Sequence, residues 1–412
     1  MAMEFPNNCT IWTNGRLMTM DSTIDHEYGL LDQHDIITHN DQIIAVLPST
    51  SYTKPIDATI VDLENHLVTP GFIDCHTHLV FGGNRAKEWE MRLNGVPYIE
   101  IAQQGGGINS TVRNTRELSE QALYKLAFPR MQSLANEGVT TIESKSGYGL
   151  DLENERKQLK VSQDLAKNYP IEIASTLLSA HAVPPEYKDK ADEYIDLICE
   201  TIMPTLWQEG LYEAVDVFCE SVGFSLEQTK KVFDRAKELG IPVKGHMEQM
   251  SNLGGSKLIA QYNGLSVDHI EFLDESAIKA ISQSGTVATL LPLAFYFLRE
   301  TQKPPIALLR QYKVPMAIST DFNPGTSPFT SIRFAMNAAS VQFGLTPLEV
   351  MEGVTRNAAQ ALGRQHTHGQ LKQDFVANFA VWNVQNPVEI FYELGHNPLV
   401  HRVFHGKIAN NA

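Results

Sequence analysis

Apolar and polar positions change rhythm once along the chain, near Gly71. Before it, residues 9 to about 68 carry short apolar runs ("CTIWTNGRLMTMD", "DIITHNDQIIAVLP", "ATIVDLENHLVTP") broken by Asn-Gly, Asn-Asp and Pro. No helical period intrudes, so this segment is predicted to be β-rich. After it, apolar strand-like runs alternate with amphipathic stretches. Eight runs stand out: "GFIDCHTHLV", "GVTTIESKS", "IEIASTLLSAHAV", "EAVDVFCES", "IPVKGHMEQ", "LSVDHIEF", "GTVATLLPLAF" and "VPMAISTDFNP". Helical patterns such as "DLENERKQLKVSQDLAKNY", "SLEQTKKVFDRAKELG" and "DESAIKAISQSG" lie between them, the last two ending in a capping Gly. Strands alternating with helices predict a parallel sheet, and eight repeats over roughly 290 residues predict a closed (β/α)8 TIM-type barrel. An open doubly wound sheet is the rival, but the first strand lacks the GxGxxG turn of its dinucleotide-binding version.

The helical "TPLEVMEGVTRNAAQALG" follows the barrel, and then "DFVANFAVWNV" and "PLVHRVFHGKIAN" read as β again. Residues 1–68 and 371–412 are therefore expected to meet in one small β-sandwich domain. The barrel is expected to take residues 69–370.

Composition narrows the function. The 412 residues are 43% hydrophobic and 20% charged, with a formal net charge of −15. That charge argues against a broad nucleic-acid or anionic-membrane surface, so neither partner is expected. An anionic small substrate would need a local cation. The four cysteines, Cys9, Cys75, Cys199 and Cys219, form no CxxC pair and read as reduced thiols of an intracellular protein. The first residues lack a basic segment followed by an apolar core, and no apolar run is long enough to span a membrane. A cytoplasmic location is the expectation.

Ligand-capable side chains gather at the C-terminal ends of the predicted strands, the rim where barrel enzymes place their active sites. Strand one carries His76 and His78. Strand two ends near Lys145 and runs into "SGYG" with Tyr148. Strands three, five, six and eight end at His181, His246, His269 and Asp321. Side chains at i and i+2 of a strand share a face, so His76 and His78 can both point inward while Cys75 and Thr77 turn outward. With His246 and Asp321 they make three imidazoles and one carboxylate, an open set that suits a catalytic metal. Zn²⁺ and Fe both fit N/O ligands. Each residue taken singly has a plainer reading. An HxH pair can be ordinary strand-end histidines, and Asp321 alone can be a helix cap or an Asx turn before "NPGTSP". The joint occurrence on four strand ends favours the metal.

"VTPGFIDCHTHLVFGG", "VDHIEF", "STDFNPGTSP" and the "TRNAAQALG" helix resemble the amidohydrolase superfamily. The longer stretches "FIDCHTHLVFGGNRAKEWEMRLNGVPYIEIAQQGGGI", "ESKSGYGL" and "LSAHAVPPEY" resemble one branch of it. That resemblance implies hydrolysis of the cyclic amide of 4-imidazolone-5-propanoate to N-formimidoyl-L-glutamate by a metal-activated water. It implies His76, His78, His246 and Asp321 as ligands of one divalent or trivalent metal ion per chain, Zn or Fe. It implies Arg85, Tyr148, His181, Gln249, Asn323, Gly325 and Thr326 as substrate contacts, His269 and Asp321 as catalytic groups, and a homodimer. Arg85 offers a planar fork to a propionate, the local cation that an acidic protein must provide.

Two departures refine this expectation. Many superfamily members carry a carboxylated lysine at the end of strand four that bridges two metals. Strand four here offers Cys219 and Glu220, and Lys145 lies on strand two, so one metal is expected. Several mononuclear relatives place a glutamate where this chain has Gln249, an amide that cannot shuttle a proton. Glu248 beside it shares the inward face of His246 only if the strand persists. The rivals are an aminohydrolase acting on a nucleobase, a cyclic-ureide hydrolase, and a barrel holding its metal for structure alone.

Overall fold

The computed structural model describes residues 5–6, 8–96, 100 and 105–409. Residues 97–99 and 101–104 of the "GVPYIEIAQQGGGI" stretch lie outside them, as do the chain ends counted into the β-domain. Five strands open the chain: β1 (Thr10–Met18), β2 (Leu30–His39), β3 (Gln42–Pro48), β4 (Thr59–Asp62) and β5 (Leu67–Pro70). Eight follow: β6 (Phe72–Asp74), β7 (Val139–Lys145), β8 (Glu172–Ala180), β9 (Ala214–Cys219), β10 (Val243–Met247), β11 (Ser266–His269), β12 (Val287–Leu290) and β13 (Met316–Ile318). The last three are β14 (Phe379–Trp382), β15 (Leu399–Phe404) and β16 (Lys407–Ala409).

Strands β6 to β13 pair in chain order, every ladder parallel. Each coincides with one of the eight apolar runs. The first and last meet beyond their formal ends: Thr77 bridges Phe322 in parallel, and the His78 amide donates to the Phe322 carbonyl at 2.8 Å. Asp74 reinforces this closure by accepting from the Thr320 amide (3.1 Å), the Thr320 hydroxyl (2.6 Å) and the Ser319 hydroxyl. Helices cover the outside, and the two expected glycine caps are joined by side-chain caps at the N-termini. Ser225 forms a capping box at Leu226–Leu239, Asp274 caps Glu275–Ser284, and Gly240 and Gly285 end these helices in the left-handed conformation.

The terminal strands form one sheet in the order β16-β15-β14-β5-β1-β2-β3, with β4 added against β1. In place of two packed sheets the termini share one continuous sheet, interrupted by bulges around Gly15, with Trp12, Leu17, Val68, Phe379 and Val403 in one buried cluster. β5 runs on to Pro70, so the N-terminal strands lead directly into β6. Among the described residues, no helix is long and apolar enough to cross a membrane.

Candidate metal centre and active site

The strand ends deliver the predicted side chains to one point. His76, His78 and His246 offer ring nitrogens that all lie within 4.8 Å of one another, as do groups of His76, His269 and Asp321. Asp321 places Oδ1 3.3 Å from His76 Nε2 and 3.7 Å from His78 Nε2. Cys75 turns outward against Ala358 and Ala359, and Thr77 donates its hydroxyl to the Glu143 carbonyl, as the period of two requires. His269, Ile270 and Asp321 all hold positive φ, of 81°, 78° and 50°. Such backbone costs about 1–3 kcal/mol per residue and persists where surrounding contacts enforce it. It sits at the last residue of β11 and just past the ends of β11 and β13, where His269 and Asp321 join the His76 ring.

Hydrogen bonds fix which nitrogens are bare. His76 Nδ1 donates to Asp268 Oδ2 at 2.7 Å, and His246 Nδ1 donates to Asp216 Oδ1 at 3.1 Å. The Nε2 atoms of both rings are buried with no hydrogen bond, as are Nδ1 of His78 and Nδ1 of His269. An imidazole tethered by one nitrogen to a carboxylate is oriented to ligate through the other. Burial, with neighbouring charge from Lys145 and the other imidazoles, lowers His76 well below the ordinary range. Burial with the His181 and His76 rings does the same for His78. Burial with His246 brings His269 down to about 3. These rings are therefore neutral donors of lone pairs. Asp321 is pushed well up by burial, which an adjacent cation would relieve. Bare buried nitrogens facing an uncompensated carboxylate fit a divalent cation.

Behind this set lies a layer that the sequence reading did not assign. Lys145 Nζ, wholly buried, sits 2.7 Å from Asp216, 3.0 Å from Glu143 and 3.5 Å from Asp268. Lys244 reaches the other oxygen of Glu143 at 2.8 Å. Burial alone would discharge Lys145, but the charges of Asp216, Glu143 and Asp268 outweigh it and raise its pKa. The same ammonium thus anchors both carboxylates that orient His76 and His246. The signal was present: Asp in the middle of "AVDVF" and "SVDHI" is a charge inside an apolar run, which needs a buried partner.

The predicted substrate contacts divide. Tyr148 is buried, with its ring centroid 5.7 Å from His78 and 5.3 Å from His181. Burial raises its phenol pKa, so it stays a donor. Its loop is held by Glu155, which accepts from the amides of Gly147, Gly149 and Leu150. Gly147, at φ 99°, presents its carbonyl to His181 Nδ1 at 3.0 Å; a Cβ there would meet that nitrogen at 2.9 Å. His181 is stacked on His78 and brought down to about 3 by burial and the His246 ring, so its Nε2 is an acceptor.

Arg85 donates Nε to Thr111 at 2.9 Å and lies against Gly325, where a Cβ would sit 2.2 Å from Nη1. The Asn323 side chain is occupied by its own turn, accepting from Gly325 and Thr326 and donating to the Asp321 carbonyl. It shapes the loop that carries Asp321. Thr326 completes that turn through its hydroxyl. Gln249 lies half-buried beyond the end of β10. Glu248 does not share the inward face: at φ 58° the chain has turned, and its carboxylate accepts from the Ser256 amide and hydroxyl. It holds the start of helix Gly255–Ala260 and does not join the cluster of His76, His78, His246 and Asp321.

The amidohydrolase family's sequence pattern matches residues 67–408. The chain belongs to the amidohydrolase family. It is 59% identical over 412 residues to the imidazolonepropionase of Photorhabdus laumondii, covering 100% of this chain and 99% of that protein. It is 59% identical over 405 residues to the imidazolonepropionase of Klebsiella pneumoniae, covering 98% and 99%. Among solved structures, an adenosine deaminase from Xanthomonas campestris with bound Zn superposes with a TM-score of 0.70 at 17% identity, covering 98% of this chain and 93% of that one. At that identity the likeness establishes the shared amidohydrolase fold.

Proposed function

We propose that the chain hydrolyses the ring C–N bond of 4-imidazolone-5-propanoate, giving N-formimidoyl-L-glutamate, the imidazolonepropionase reaction of histidine degradation. The observation that carries this is 59% identity, end to end, to proteins of that name. The reading is supported by neutral imidazoles facing Asp321 and by the Arg85 guanidinium, which has no carboxylate partner among the described residues.

His76, His78, His246 and Asp321 would hold one ion, Zn or Fe. When bound, such an ion lowers the pKa of a water from 15.7 toward about 7 and polarises a carbonyl. The chain's own residues do the rest. Arg85 pairs the propionate through its fork. Tyr148 and His181 offer a phenol hydrogen and a bare ring nitrogen to the polar edge of the imidazolone. The water oxygen bonds to the ring carbonyl carbon, the C–N bond breaks, and the ring nitrogen takes a proton. Asp321 and His269 Nδ1 would hold those protons and pass them on. Glu248 has no part in this, because it faces Ser256. Lys145 stays an ammonium paired with three carboxylates, which supports one ion rather than a lysine-bridged pair.

The test is turnover of freshly generated 4-imidazolone-5-propanoate, with metal analysis of the same sample. Formation of N-formimidoyl-glutamate with close to one metal per chain is expected. No product from metal-loaded protein overturns the reaction, and close to two metals per chain overturns the single-ion site.

A further inference from the structure

We infer that the cavity lined by Arg85, Arg92 and Arg130 collects the substrate's carboxylate, and that Arg92 is the recruiting residue that passes it to Arg85. This rests on the reaction proposed above. The cavity encloses about 520 Å³ between helix Ala86–Leu93, helix Pro292–Leu298 and the loop after Asp321.

Its charge pattern is one-sided. Arg85, Arg92 and Arg130 line it, and among the described residues no Asp or Glu does. Among the described residues none of these three guanidiniums has a carboxylate partner. Arg85 donates to the Thr111 hydroxyl, Arg130 to the carbonyls of Leu79 and Phe81, and Arg92 only to the Gly325 carbonyl at 3.5 Å. Elsewhere among the described residues Arg116, Arg156, Arg235, Arg310, Arg356 and Arg364 each hold one, while the buried Arg333 and Arg402 donate to backbone carbonyls instead. In a chain of net charge −15, three uncompensated cations around one cavity point to an anionic visitor.

The three do not play the same part. Arg130 is fixed, its guanidinium 3.6 Å from the centroid of Phe81, and supplies static positive potential. Arg92 is only half-buried, lies 5.6 Å from the Phe297 centroid, and keeps free donors. Gly325 links the other two: its carbonyl faces Arg92, and its missing side chain leaves room for Arg85. A carboxylate held at Arg92 can therefore pass to Arg85 with only this glycine between them. Trp89 and Phe297, stacked with centroids 5.8 Å apart, give the cavity an apolar wall, which strengthens the field inside it.

The experiment is steady-state turnover of 4-imidazolone-5-propanoate by the metal-loaded full chain across a range of ionic strengths. Arg92→Gln is expected to leave kcat in place and lower kcat/KM about 10-fold at low salt. It should also flatten the fall of kcat/KM with salt. Arg92→Lys should restore most of both. If the wild type does not turn over, the proposed reaction falls and takes this inference with it. If the wild type turns over and Arg92→Gln matches it in KM and salt dependence, recruitment falls while the reaction stands. If Arg92→Lys behaves like Arg92→Gln, the contact with Gly325 matters rather than the charge, and recruitment is again overturned.

Discussion

Histidines and carboxylates gather at both ends of the barrel region. At the C-terminal rim, four imidazoles gather with Asp321, and one ring nitrogen on each of His76, His78, His246 and His269 is left with no hydrogen bond. At the opposite end, Glu172 is the first residue of β8. Its Oε2 takes His368 Nε2 at 2.8 Å and Arg364 at 2.7 Å, and its Oε1 takes His405 Nε2 and Asn378 Nδ2, each at 3.0 Å. The residue types are the same. Lone pairs left over at the rim are available to a ligand, whereas those around Glu172 are consumed in joining β8 to the C-terminal strands. In a barrel, that division matches chemistry at one face and stability at the other.

The largest test removes a bare nitrogen. His246→Ala should abolish stoichiometric metal binding and lower turnover by more than about 10³-fold, because no activated water remains. Thermal melting should still show a folded chain. Metal content and activity at wild-type levels would break the comparison, since the free nitrogens would then serve nothing.

A milder change probes the layer behind. Asp268→Asn keeps the shape against His76 Nδ1 but removes the charge that orients the ring. Losses of this kind cost about 10–100-fold in metal affinity or activity. The fold should persist, because Lys145 retains Asp216 at 2.7 Å and Glu143 at 3.0 Å. Metal titration followed by turnover reads the effect. An unchanged affinity would show that His76 is held by packing alone.

The two ends also differ in how far they can be read from sequence. The HxH pair is legible because a period of two and a strand end suffice to place it. The eight strands are legible for the same reason: each is a local apolar run with local punctuation. Asp216, Asp268 and Lys145 are harder, since their meaning lies in adjacency across β7, β9, β10 and β11. Only the rule that a buried charge needs a partner hints at it. Glu248 is harder still. "HMEQ" leaves open whether the strand persists, and the turned conformation at Glu248 is seen only with Ser256, eight positions on, donating to its carboxylate. Arg92 sits on an amphipathic helix whose polar face looks like any other until the loop after Asp321 packs beside it.

The smallest effect belongs to the saturated end. Glu172→Gln keeps the side chain's size and one acceptor oxygen while removing the charge shared by His368, His405 and Arg364. Hydrogen bonds to charged groups are worth about 1.5–3 kcal/mol, so the variant should lose about 2 kcal/mol of stability and none of its kcat. The effect should also depend on pH. Burial works to raise Glu172, but hydrogen bonds from His368 and His405 and the charge of Arg364 outweigh it and hold its carboxyl well below the usual range. A carboxylate lowered by folding contributes stability that is fully present above its unfolded pKa, about 4.3, and is lost as pH falls toward the folded value. The melting temperatures of wild type and Glu172→Gln should therefore differ most near neutral pH and converge below about pH 4. A gap that stays constant into acid would mean the carboxylate's charge is not what joins β8 to the C-terminal strands. A fall in kcat at unchanged metal content would mean the two ends of the barrel are not separate in function.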